Sequence, residues 1–218
     1  MRRAAWAILL AVFAPVVSPG EACAHPHAWI DVHSAVIFDP GGKITAVEEE
    51  WSFDEQYSAF NLQPLAPDQR DSPAALTALM EKNLARIAPL GYFTTLRAGD
   101  KPVAASGVSG VASEMRGKRL WLRFTLSLAT PVDPRARLFS YWIGDPTYWI
   151  EMVHRGIEPV VLRGKRTEGC SARIEPPHPT PELLARAAAL DVDAKVDPSL
   201  GQFFAETVRI SCAPEAAR

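Results

Sequence analysis

The sequence predicts a single α+β domain, mainly antiparallel sheet with two or three packed helices, and three stretches carry that prediction. Residues 28–53 alternate apolar and polar side chains on both sides of the turn signal Asp39-Pro40-Gly41-Gly42, the pattern of a half-buried hairpin. Pro73 to Ile87 places Leu76, Leu79, Met80, Asn83, Leu84 and Ile87 at helical spacing. Leu120 to Leu128 returns to strict alternation and reads as a strand.

Met1-Arg2-Arg3, an apolar run from Ala4 to Val17 and the small-residue segment ending Ala22-Cys23-Ala24 form the three parts of a secretory signal. The apolar run is shorter than the roughly 20 residues of a bilayer span. Residues 1–24 are therefore expected to be cleaved, leaving one exported, periplasmic domain over 25–218 with His25 at its start. No later segment is long and apolar enough to cross a membrane. With 23 basic against 25 acidic residues the formal charge is −2, so no nucleic-acid footprint is present.

Only Cys170 and Cys212 survive cleavage, and an even pair in an exported chain predicts a disulfide. Closing that loop is worth roughly 4 kcal/mol by chain entropy.

Three of the five histidines fall in His25-Pro26-His27-Ala28-Trp29-Ile30-Asp31-Val32-His33. Alternate side chains of a strand share a face. Ala28, Ile30, Val32, Val36 and Phe38 take the apolar one, and His27, Trp29, Asp31, His33 and Ile37 take the other. Pairing Phe38 with Lys43 across the turn buries Val47, Trp51 and Phe53. That register sets Glu48 opposite His33, Glu50 opposite Asp31 and Asp54 roughly opposite His27. A face of imidazoles and carboxylates suits a divalent ion, zinc first, with nickel, cobalt and copper as alternatives. The expected metal ligands are His25, His27, Asp31, His33, Asp54 and Asp145. Glu48, Glu49 and Glu50 read mainly as solvated edge charges. Asp31 also fits the role of a carboxylate that orients an imidazole.

A free amine with His in third position usually signals a square-planar copper or nickel site using deprotonated amides, but Pro26 has no amide hydrogen to lose. What remains is chelation by the amine and imidazole of His25, as in copper histidine-brace sites, or an ordinary His and carboxylate site.

Asp54 competes for another role, as N-cap of a short helix through Phe60. Ser72-Pro73 starts the next helix, in which Met80 reads as core. Strands follow at Tyr92–Leu96, Val103–Ala105 and Leu120–Leu128, then Arg137–Ile143 and Tyr148–Val153, with a Gly- and Ser-rich stretch through Gly110 between them. Asp145, ahead of Pro146, is also a turn former. His154 and His178 read as loop and linker residues. A helix over Pro181–Leu190 and a strand over Thr207–Cys212 close the chain. No phosphate loop, nucleophile elbow or His-Glu-x-x-His motif is present.

HPHAWID after a signal peptide, WSFDEQYS, GYF after a helix, GDPTYW and a closing LGQFFAETVRISC together resemble a periplasmic family known as domain of unknown function 1007, over essentially the whole mature chain. By that resemblance His25, His27 and Asp31 match the opening motif, Asp54 and Tyr57 the second, and Asp145 and Tyr148 the third. Members resemble accessory proteins that accompany nickel, cobalt or zinc permeases. The calcium loop of many members has no counterpart in residues 63–71, which lack the alternating Asp and Gly. The expected function is thus a periplasmic metal-binding accessory protein that passes zinc to an inner-membrane metal permease. The alternative is a metalloenzyme of copper histidine-brace or zinc hydrolase type, with Glu48, Glu50 or Asp54 as base.

Overall fold

A computed structural model describes residues 26–190 and 197–213, so the expected signal peptide and His25 lie outside the described residues. In chain order the elements are β1 (Ala28–Phe38), β2 (Ile44–Phe53), α1 (Glu55–Asn61), α2 (Pro73–Ile87), β3 (Thr94–Ala98), β4 (Lys101–Val103), β5 (Ala105–Arg116) and β6 (Arg119–Val132). They continue with β7 (Phe139–Ile143), β8 (Ile150–His154), β9 (Val160–Gly164), β10 (Cys170–Glu175), α3 (Pro181–Ala188) and β11 (Thr207–Cys212).

The strands form two sheets. The first runs β5-β6-β2-β1-β8, with β9 pairing the far half of β1; the second runs β10-β11-β7-β3-β4. The α+β expectation holds, and most pairings are antiparallel, but β8 and β9 both run parallel to β1. β1 is thus covered on both edges, which explains how a strand this central keeps so many apolar residues.

Alternation is realised in β1: Ala28, Ile30, Val32, Val36 and Phe38 are buried. On β2 the same parity buries Val47, Trp51 and Phe53. One core joins the inner face of the first sheet to Leu96, Phe139, Tyr141, Ile143, Val208 and Ile210 of the second. α2 closes it with Leu76, Leu79, Met80 and Leu84, each contributing on the order of 1.5–3 kcal/mol by burial. Ser72 caps that helix onto the Ala75 amide and Pro73 opens it, as its sequence requires.

Three expectations need correction. Val36 pairs with Val47 and His33 with Glu50, so the hairpin is two residues out of the expected register. The cause is local: the turn is tied by Asp39, whose Oδ1 accepts the Lys43 amide at 2.9 Å, and a bulge between Ile37 and Phe38 takes up the extra residue. The Gly- and Ser-rich stretch, outside the expected strands, is the first half of β5, bulged between Ser109 and Ala112, where small residues let it follow β6. Glu49 is not a solvated edge charge, because it has 0 % exposure. The expected disulfide is present, joining Cys170 and Cys212, which stand directly opposite each other on β10 and β11. Among the described residues no helix is long and apolar enough to cross a membrane.

Candidate functional site

The motif residues from three parts of the chain meet at the N-terminal end of β1. The His27 amide donates to the Trp149 carbonyl at 2.9 Å, and the two rings lie 5.2 Å apart. Tyr57 packs on the other side of Trp149, with ring centroids 6.0 Å apart, and stacks on Phe60. Burial, reinforced by the charges of Asp145 and Asp54, holds the Tyr57 hydroxyl above its ordinary pKa against the lowering effect of Asn61, so it stays a neutral phenol.

Both carboxylates at this end are committed to backbone. Asp54 Oδ1 accepts the Tyr57 amide at 2.8 Å as the N-cap of α1, and its Oδ2 accepts the Trp29 amide at 2.8 Å. The helix is thereby fixed to the start of β1. Asp145 is buried within the turn it forms. Its Oδ1 accepts the Thr147 amide and hydroxyl, and its Oδ2 accepts the Trp149 and Ile150 amides at 3.1 and 3.2 Å. A carboxylate that accepts this many N–H bonds is a scaffold for the Trp149 segment. Tyr148 takes a left-handed φ of 60° in the same turn and stacks on Phe204 at 4.0 Å.

The other expected ligands lie elsewhere. Asp31 is clamped between Arg119 Nη1 at 2.7 Å and Arg155 Nε at 3.1 Å. His33 shares the outer face with His27, but six residues of strand separate them by about 20 Å. One ion therefore cannot span both. His33 instead sits in a small pocket with Glu48, Glu50, Glu158 and Arg163, where Arg163 pairs with Glu48 and the Trp121 indole donates to Glu50 at 3.1 Å. Arg116 lies 3.7 Å over that same indole. The outer face of the hairpin is thus a lattice of arginine and carboxylate. Among the described residues no three His, Cys, Asp or Glu side chains gather closely enough to hold an ion. His27 stands against Trp149, and its expected co-ligand His25 lies outside the described residues.

Two polar clusters inside the core depart from the sequence expectation. Glu49 Oε1 accepts the Thr94 hydroxyl at 2.7 Å and its Oε2 accepts the Trp51 indole N–H at 3.0 Å. Burial pushes its carboxyl up to about 8, only partly offset by those bonds, so it is mainly protonated at neutral pH. Ser34 pairs with Glu49 in register and its Oγ lies 2.7 Å from the Tyr141 hydroxyl and 3.2 Å from His154 Nε2. His154 Nδ1 in turn meets Glu206 Oε2 at 3.1 Å. His154 is therefore no loop residue but the buried middle of a relay from Tyr141 to Glu206. It ends β8, opposite Val32. Parity along β1 and β2 puts Ser34 with Val32 and Val36, and Glu49 with Val47 and Trp51, a usable signal in both cases. His154 continues the parity of the buried Ile150 and Met152, one residue beyond the expected end of that strand.

No curated protein matches the chain. A family described as Protein of unknown function (DUF1007) matches residues 10–212, which include every motif assembled above except the opening arginines, and the chain belongs to that family.

Proposed function

We propose that the protein captures a divalent transition metal, zinc in the first place, through the segment His25-Pro26-His27 and passes it to an inner-membrane metal permease. The observation that supports the reading best is the packing of His27 on Trp149, where Asp145 holds the Trp149 amide and Asp54 holds the amide of Trp29, two residues after His27. An imidazole held by backbone and ring contacts loses little freedom on ligation, which raises affinity without further ligands. The bound ion would supply no more than its own coordination preference. His27 would hold it through imidazole, with the amine and imidazole of His25 as the chemically suited completion. Delivery to a permease rests on the likeness of the opening and Asp145 motifs to accessory proteins, and export on the signal-like first 24 residues.

A carrier fits better than a hydrolase. The carboxylates that would act as base are engaged: Glu48 by Arg163, Glu50 by Trp121, and Asp54 by two backbone amides. A catalytic zinc site needs a poised base beside an open position.

Titration calorimetry with zinc, nickel and copper on the mature chain tests the reading. His27→Ala and His25→Ala should each weaken zinc binding at least tenfold, and His33→Ala should leave it unchanged. Equal affinity of wild type and His27→Ala overturns it.

A further inference from the structure

A cavity of about 250 Å³ lies between the inner face of the first sheet and the helices α1 and α2. Its walls include Trp51, Phe53, Phe93, Met80, Leu84 and Leu122, all buried. Protein interiors are packed to crystal density, so a cleft of this size reaching into the core leaves its apolar lining short of dispersion contacts until something fills it. An engineered apolar cavity of roughly 150 Å³ already binds benzene.

The mouth is of different character. Phe60 stands there 59 % exposed, an unusual position for a large aromatic side chain next to a core opening. Asn83 donates to Asn61 at 3.1 Å, and Asn61 donates to the Tyr57 carbonyl at 2.9 Å, so the rim is braced by a short amide chain. Phe60, Asn61, Asn83 and Arg86 also line an outer groove along α2, which adds Lys82. The cavity and the groove therefore share this rim. Lys82 and Arg86 are four apart on one helix, where like charges repel. Neither forms an ion pair with a described acidic residue. Arg86 also complements the negative end of α2, but that role calls for no apolar chamber beside it.

We infer that the chamber between the sheet and α2 binds an amphipathic carboxylate of medium chain length, its hydrocarbon tail among Trp51, Phe53 and Phe93 and its head group at Lys82 and Arg86. The apolar walls select the tail and the paired cations select an anion, the division of labour common to small-molecule sites. Tyr57 is a wall of this chamber and also packs on Trp149, but the inference does not depend on metal binding at His27.

The test is calorimetry and tryptophan fluorescence of the full mature chain with sodium decanoate below its micellar concentration, against acetate and decyltrimethylammonium. Decanoate should bind one to one, and the other two at least tenfold more weakly. Lys82→Glu combined with Arg86→Glu, both at the surface, should weaken decanoate at least tenfold while the circular dichroism stays that of wild type. Ile87→Trp, which fills the chamber from its edge, should abolish binding. If either variant fails to fold, the comparison of head groups and chain lengths on the wild type decides. Absence of saturable decanoate binding, or equal binding of the cationic amphiphile, overturns the inference.

Discussion

The Trp51 indole N–H donates at 3.0 Å to Glu49, a carboxyl two residues earlier on the same strand and fully enclosed by the core. No basic group faces Glu49 among its hydrogen-bond partners, which are Trp51 and Thr94, so the neutral acid is the form the core accepts. Its pKa rises from 4.5 in the unfolded chain to about 8 in the fold. The folded state then holds a proton that the unfolded state has released, and stability falls as pH climbs between those values, levelling off above the upper one. Glu49→Gln should remove that slope, since an uncharged amide keeps an oxygen for Trp51 and a polar contact for Thr94, whose hydroxyl also reaches the Tyr92 carbonyl at 3.2 Å. Thermal unfolding at pH 8 should show the variant more stable, by an amount on the order of 3 to 5 kcal/mol. A wild-type melting curve that is flat from pH 5 to 8 contradicts this account.

Glu206 has the opposite sign. Burial pushes its carboxyl up, but the His154 hydrogen bonds, from ring and backbone, and the positive charges of His154 and Arg155 outweigh it and hold the group below its ordinary value. Its stabilisation is therefore present above the unfolded carboxylate pKa and is lost as pH falls through the folded one. Glu206→Gln should destabilise the protein by roughly 1–3 kcal/mol at pH 7. The penalty should shrink at acid pH, below the ordinary carboxylate range, where wild type loses the same charge. Denaturant titrations at the two pH values measure the difference.

Parity along a strand is legible in sequence; distance and register are not. Shifting the β1/β2 pairing by two residues leaves every side chain on its expected face, so burial favours the expected and the observed registers equally, and only the Asp39 turn and its bulge decide. For the same reason His27 and His33 read as neighbours on one face although a long stretch of strand separates them. Helix caps are local and were legible at Asp54 and Ser72, each of which accepts a backbone amide of its own helix. The arginines that neutralise Asp31 and Glu48 come from β6, β9 and the segment after β8, and no local pattern announces them.

The disulfide should matter locally as well as globally. It joins residues 42 apart in sequence at the end of the outermost pair of the second sheet, β10 and β11. Cys170→Ser with Cys212→Ser should lower stability by about 4 kcal/mol on the chain-entropy account. Hydrogen exchange should rise first in β10, whose other edge pairs with no described strand of its sheet, and least in β7. Uniform loss of protection across both sheets would show that the bridge acts only through the unfolded chain.

Gly201 supports the Asp145 turn from below. Its amide donates to the Pro146 carbonyl at 2.8 Å, and a Cβ added there would overlap the Asp145 carbonyl oxygen. That oxygen belongs to backbone within the turn and cannot swing aside as a flexible side chain would. Gly201→Ala must therefore displace either the turn or the segment leading into β11, and with it the stack of Tyr148 on Phe204. A loss of roughly 2–4 kcal/mol is expected, the range of steric insertion into a packed site. Because the same turn holds Trp149 against His27, zinc affinity should fall in Gly201→Ala as well, although residue 201 is no ligand. Thermal melts and zinc titrations of this variant beside His33→Ala separate the two effects. His33→Ala should change neither strongly, whereas Gly201→Ala should change both, and an unaltered melting temperature in Gly201→Ala would mean that the two backbones are not in contact.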